Sequence, residues 1–116
     1  MYTPGKHIIA TLLTNEPGKT ESFEAFKAYM DGLIEQYNLQ CLGEVFHNFS
    51  PAGFTGVVCL SESHVSVHTW PEYGRVNIDI YLSNHERDND GTVTSLYEAL
   101  TVFFNATVEQ IQTIHR

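Results

Sequence analysis

The run Phe54-Thr55-Gly56-Val57-Val58-Cys59-Leu60-Ser61-Glu62-Ser63-His64-Val65-Ser66-Val67-His68-Thr69-Trp70-Pro71-Glu72-Tyr73-Gly74-Arg75-Val76-Asn77-Ile78-Asp79-Ile80-Tyr81-Leu82 decides the fold. Phe54 to Leu60 and Arg75 to Leu82 are rich in the β-branched and aromatic residues that suit a pleated surface. From His64 to Trp70 the chain alternates His64, Ser66, His68 and Trp70 with Val65, Val67 and Thr69, so one face is polar and the other apolar. Pro71-Glu72-Tyr73-Gly74 has turn chemistry and returns the chain into the next strand. There Val76, Ile78, Ile80 and Leu82 face one way and Asn77, Asp79 and Tyr81 the other. Glu62-Ser63-His64 falls where one strand ends and another begins. The backbone can be bent at such a junction, and a bent peptide beside a hydroxyl is open to attack.

Outward from this run, His7 to Leu13 reads as a first strand closed by Asn15-Glu16-Pro17-Gly18. Between Ser22 and Tyr37, Phe23, Phe26, Met30, Leu33, Ile34 and Tyr37 recur at helical spacing, with charged residues opposite. Cys41 to Phe49 reads as a strand ended by Ser50-Pro51-Ala52-Gly53. The polar segment from Asn84 to Gly91 is an exposed loop, Thr92 caps a second helix carrying Leu96, Leu100, Phe103 and Phe104, and Thr107 to His115 is a last strand. Five or six strands in mostly hairpin order with two helices imply an α+β fold. The expected form is a two-layer sandwich, a mostly antiparallel sheet with helices packed on one face. The uncovered face then forms a cleft or is completed by a second copy, a homodimer.

The 116 residues fit a single domain spanning 1–116, and a 42% hydrophobic, 17% charged composition is that of a soluble globular chain. No apolar run approaches the roughly 20 residues that span a bilayer, so no membrane partner is expected. Met1 to Lys6 lacks the apolar core of a secretory signal, which makes the cytoplasm the expected location. Fourteen acidic against six basic residues give a net charge of -8, which repels phosphate backbones and argues against nucleic acid. Small cations are more natural partners. Cys41 and Cys59 lie in apolar runs and read as reduced core thiols. His64 and His68 are four apart; on a strand that is about 13 Å, too far to share an ion, so no metal is expected. Ser63 lacks the glycines of a nucleophile elbow, which disfavours a serine hydrolase.

The segment Phe49 to Asp79, with Glu62-Ser63-His64, then His68-Thr69-Trp70-Pro71-Glu72-Tyr73-Gly74 and the downstream Asp79, closely resembles the small prokaryotic S-adenosylmethionine decarboxylase proenzymes. The resemblance implies a self-processing, pyruvoyl-dependent carboxy-lyase of polyamine biosynthesis. Cleavage falls between Glu62 and Ser63, where the serine hydroxyl attacks the preceding carbonyl and the amide becomes an ester. β-Elimination then leaves a dehydroalanine that hydrolyses to the pyruvoyl group. Residues 1–62 become a β chain, and an α chain of residues 63–116 begins with the pyruvoyl cofactor that forms a Schiff base with the substrate amine.

On the same resemblance, Thr55 takes the place of a hydroxyl residue that supports processing, and His68 that of the histidine that removes the serine α-proton. Glu72 corresponds to the acid that holds the ribose hydroxyls, and Phe49 to an aromatic that stacks on adenine. Ser83 departs from the pattern, since it stands where the family carries the cysteine that returns a proton to the substrate. Thiols titrate at about 8.5 and hydroxyls are far weaker acids, which leaves three outcomes. Ser83 relays a proton from water, Tyr81 or His68 donates it, or the substrate has changed to L-ornithine or L-arginine. A further alternative is an uncleaved, non-catalytic binding or regulatory subunit.

Overall fold

The computed structural model describes residues 1–116. The elements in order are β1 (Lys6–Thr14), α1 (Glu24–Gln36), β2 (Cys41–Asn48), β3 (Phe54–Leu60), β4 (Ser63–Trp70), β5 (Arg75–Leu82), α2 (Asp90–Phe103) and β6 (Ala106–His115). Short 3₁₀ turns occupy Pro17–Thr20 and Pro71–Tyr73. All six strands join one antiparallel sheet in the order β2-β3-β4-β5-β1-β6. The expected α+β sandwich is present, with both helices on one face. No helix is long and apolar enough to cross a membrane.

Burial follows the period-2 alternation of the strands. Ile8, Ala10 and Leu12 of β1, Val65 and Val67 of β4, and Val76, Ile78, Ile80 and Leu82 of β5 are all buried toward the helices. Phe26, Met30 and Leu33 of α1 and Val93, Leu96, Leu100 and Phe103 of α2 close over them as apolar stripes. Each of these side chains larger than Ala10 contributes about 1.5–3 kcal/mol on full burial. Thr69 is the polar residue that the alternation turns inward. Its hydroxyl donates to the Thr20 carbonyl (2.8 Å) and accepts from the Phe54 amide (2.8 Å), tying the first 3₁₀ turn to β3 and β4. Gly74 ends the second 3₁₀ turn at φ 57°, and a Cβ there would collide with the carbonyl oxygen of Thr14.

Two expectations are corrected. Cys41 and Cys59 are exposed rather than core thiols. Cys59 lies between buried Val58 and Leu60 and therefore points to the opposite face, while Cys41 lies on the edge strand β2. Thr92 does not cap α2, which begins at Asp90 after Asn89. The preceding loop makes its own turn, in which the Asn89 amide donates to Asn84 Oδ1 at 2.7 Å and the Val93 amide donates to the Asn89 carbonyl at 2.9 Å.

The other sheet face carries Ile9 and Thr11 from β1, Thr55, Val57 and Cys59 from β3, His64, Ser66, His68 and Trp70 from β4, and Asn77, Asp79 and Tyr81 from β5. No element of the chain covers it, and Ile9, Val45, Val57 and Ile114 are exposed.

Candidate active site

The β3–β4 connection is a tight turn at Ser61 and Glu62, and it delivers Ser63 at φ 136°. That backbone region is strained for any residue with a Cβ. The Glu62 carbonyl, on the amino side of this residue, accepts the Ser83 amide at 2.7 Å. Ser63 lies opposite both Leu60 and Leu82, so β3 and β5 fix it from either side.

The Glu62 side chain is clamped. Arg87 Nη2 donates to Oε1 at 2.8 Å and Arg87 Nε to Oε2 at 3.1 Å, while Asn89 Nδ2 donates to Oε2 and, at 2.8 Å, to the Ser83 carbonyl. The Arg87 guanidinium, aided by Asn89 and opposed by burial, holds the Glu62 carboxyl below the usual glutamate range. Arg87 also reaches the Asn38 carbonyl at 3.0 Å. Neither Arg87 nor Asn89 was singled out in the sequence, where both sit in a polar segment with no motif.

At the far end of β4 a cavity of about 370 Å³ is lined by Phe49, Thr55, His68, Trp70 and Glu72 among others. Thr55 and His68 are direct cross-strand partners, and Thr55 Oγ1 lies 2.6 Å from His68 Nδ1. Phe49 is half exposed, with its ring edge-on to His47. An aromatic face, an imidazole and a carboxylate thus converge on one opening.

The residues predicted from the sequence therefore fall into two groups. Glu62, Ser63 and Ser83 lie at one end of β4, and Phe49, Thr55, His68 and Glu72 at the other. Five residues of strand place Ser63 and His68 about 16 Å apart, and Trp70 is about 23 Å away. A single chain does not bring the serine and the Thr55–His68 pair together. Ser83 is half-buried and lines a separate cavity of about 150 Å³ with Gln40, Glu62 and His85.

The sequence reading missed a third cluster, because strand pairing alone assembles it. His7 of β1, His64 of β4 and Asp79 of β5 bring their nitrogen and oxygen atoms within 4.8 Å of one another on the open face. His7 Nε2 pairs with Asp79 Oδ1, and His64 Nε2 lies 3.9 Å from the same oxygen. Arg116 Nη1 approaches His7 Nδ1 at 3.4 Å. A guanidinium can only donate, so Nδ1 accepts and Nε2 carries the proton directed at Asp79.

Comparison with known proteins agrees with this architecture. The S-adenosylmethionine decarboxylase proenzyme of Sulfurihydrogenibium sp. (strain YO3AOP1) is 46% identical over 79 residues, covering 68% of this chain and 59% of that relative. The chain thus matches under two thirds of that relative's length. The proenzyme of Archaeoglobus fulgidus is 42% identical over 77 residues, 66% of this chain and 69% of its own length. The crystal structure of the adenosylmethionine decarboxylase from Aquifex aeolicus superimposes with a TM-score of 0.80 at 28% identity, covering 100% of this chain and 91% of that one. The family pattern described as S-adenosylmethionine decarboxylase matches residues 6–116, and the chain belongs to that family.

Proposed function

We propose that this chain is a precursor that cuts itself between Glu62 and Ser63, converts residue 63 into a pyruvoyl group, and decarboxylates S-adenosylmethionine. The observation that carries this reading is the junction itself: Ser63 sits in strained backbone while the carbonyl before it accepts the Ser83 amide. Attack by the Ser63 hydroxyl would place negative charge on the Glu62 oxygen. The Ser83 amide already points at that oxygen and needs no rearrangement to stabilise it. Strain relieved on cleavage favours the otherwise uphill amide-to-ester shift. Since β3 and β4 pair along their length, residues 1–62 and 63–116 remain one sheet after the cut.

The residues around Ser63 fit the pyruvoyl group, which supplies an electron sink for the bond to the departing carboxylate. The cavity at the far end of β4 fits the nucleoside part of the substrate. Glu72 accepts the ribose hydroxyls, and Phe49 stacks on the adenine or faces the sulfonium cation. Within one chain the two places are about 23 Å apart, and the ribose and amino nitrogen of S-adenosylmethionine are well short of that span. The reactive site is therefore shared. In a two-fold dimer that stacks the uncovered sheet faces, the Ser63 end of one copy lies over the Thr55, His68 and Glu72 end of the other, giving two equal sites. His68, oriented by Thr55, then takes the α-proton of the second copy's Ser63 during processing.

The test is release of labelled carbon dioxide from carboxyl-labelled S-adenosylmethionine, L-ornithine and L-arginine in parallel. Release from S-adenosylmethionine is expected. Release from the amino acids alone would overturn the substrate assignment and leave the self-processing intact.

A further inference from the structure

The bond from the Ser83 amide to the Glu62 carbonyl lies just outside the paired strands, since β5 ends at Leu82 and β4 begins at Ser63. Its two ends therefore need another support. Asn89 is the side chain bonded to both residues: its Nδ2 donates to Glu62 Oε2 and, at 2.8 Å, to the Ser83 carbonyl. A carboxylate oxygen and a peptide oxygen only accept, so both hydrogens of the Asn89 amide are committed and its orientation is fixed. Arg87 grips the same carboxylate, but its other bonds run to the Tyr37 and Asn38 carbonyls and none reaches Ser83.

An asparagine at this place ordinarily does something else. Asn89 immediately precedes α2, where the side-chain oxygen of an asparagine accepts a backbone amide of the first turn and stabilises the helix. Here the side chain makes no such bond. Only the main chain of Asn89 serves its own loop and helix, its amide donating to Asn84 Oδ1 at 2.7 Å and its carbonyl accepting the Val93 amide at 2.9 Å. The residue is 1% exposed, so a buried amide has been turned away from the helix and spends both donors on the cleavage junction.

Resting on the self-processing reading above, we propose that Asn89 is a positioning residue for the cleavage step, holding the Ser83 amide and the Glu62 carbonyl in the relation that receives the oxyanion. In that step Ser63 Oγ bonds to the Glu62 carbonyl carbon and the carbonyl electron pair moves onto oxygen. Collapse then breaks the carbon–nitrogen bond, and the hydroxyl proton ends on the freed amine of residue 63. Nothing is oxidised or reduced. Asn89 touches none of the reacting atoms. It acts through the Ser83 carbonyl on the main chain that carries the donor, and through the Glu62 carboxylate on the residue that carries the acceptor.

The experiment isolates ester formation in His68→Ala chains, which on the proposed chemistry stop at the ester. Saturating hydroxylamine attacks the ester carbonyl, the Ser63 hydroxyl leaves, and residues 1–62 are released with a hydroxamate at Glu62, followed by intact mass. In this background Asn89→Ala and Asn89→Asp should slow release on the order of 10-fold or more, and Asn89→Ser, which keeps one donor, should fall between them and the Asn89 chain. A helix-capping role predicts instead that Asp and Ser, both good caps, match asparagine. A second arm adds Ser83→Pro, which removes the donor; Asn89→Ala should then slow release by less than about 3-fold, since no amide is left to position. Melting temperatures of the same variants in Ser63→Ala chains show which are folded at the assay temperature, and Asn89→Ser, the mildest change, carries the comparison where the others are not. Release from the Asp or Ser variant at the rate of the Asn89 chain, or an Asn89→Ala effect of equal size with and without the Ser83 amide, overturns the assignment and leaves self-processing standing. A parent chain that never cleaves, with a His68→Ala chain that hydroxylamine leaves whole, refutes self-processing, and the assignment falls with it.

Discussion

The Ser83 backbone amide donates to the Glu62 carbonyl at 2.7 Å, across the gap between the end of β5 and the turn that opens β4. This contact uses only the main chain of residue 83, so the departure from cysteine at that position leaves it in place. A Ser83→Pro variant removes the amide, and its self-cleavage should slow by about 10²-fold, the usual cost of one oxyanion donor. Ser83→Ala keeps the amide and should cleave much as the parent does. Time courses of cleavage by intact mass, with melting temperatures to exclude unfolding, distinguish the two.

A site shared between two copies, as proposed, makes a prediction about mixed chains. On the proposed chemistry Ser63→Ala has no hydroxyl to attack with and His68→Ala lacks the proposed proton acceptor, so neither should process alone. Co-expressed, the His68→Ala chain presents an intact Ser63 to a partner with an intact His68. It should be cut in the mixture, while the Ser63→Ala chain stays whole. Absence of cleavage in exchanging mixed dimers would count against a site built from two copies.

Arg87 holds the Glu62 carboxyl below its ordinary value of 4.5, which ties precursor stability to pH. A depressed carboxyl contributes stability that is fully present above its unfolded pKa and is lost as pH falls through the folded one. For the uncut Ser63→Ala precursor, melting temperature should therefore hold from neutrality toward about 5 and decline below it as Glu62 takes up a proton. Arg87→Ala should melt lower at neutral pH and show a shallower acid-side decline. Parallel curves for the two proteins would contradict the clamp.

Gly74 carries a purely structural prediction. Its φ of 57° and its approach to the Thr14 carbonyl leave no room for a side chain. Gly74→Ala should destabilise the fold by about 1–3 kcal/mol, measured by denaturant unfolding of the uncut precursor.

Much of this was legible in the sequence for a definite physical reason. The alternation from His64 to Trp70 and from Val76 to Leu82 sets which side chains face the core, and it holds residue by residue. The same rule, applied strictly, would have put Cys59 on the open face; the apolar neighbours Val58 and Leu60 obscured it. What periodicity cannot encode is which distant segments pair. The place of β1 between β5 and β6 brings His7 to His64 and Asp79, and no local pattern announces that. The Arg87 and Asn89 clamp was hidden likewise, since a polar loop looks the same whether it faces water or a half-buried carboxylate. The roughly 16 Å between Ser63 and His68 was implicit in the strand reading and follows from counting residues along β4.

Everything proposed for this chain depends on the bond between residues 62 and 63. Intact mass of freshly expressed protein, with the new amino end probed by hydrazine, tests it most directly. The account predicts two fragments, residues 1–62 and residues 63–116, the second blocked at its amino end and carrying a reactive carbonyl. A single unbroken chain of 116 residues with no trappable carbonyl, under all conditions that keep it folded, would contradict it.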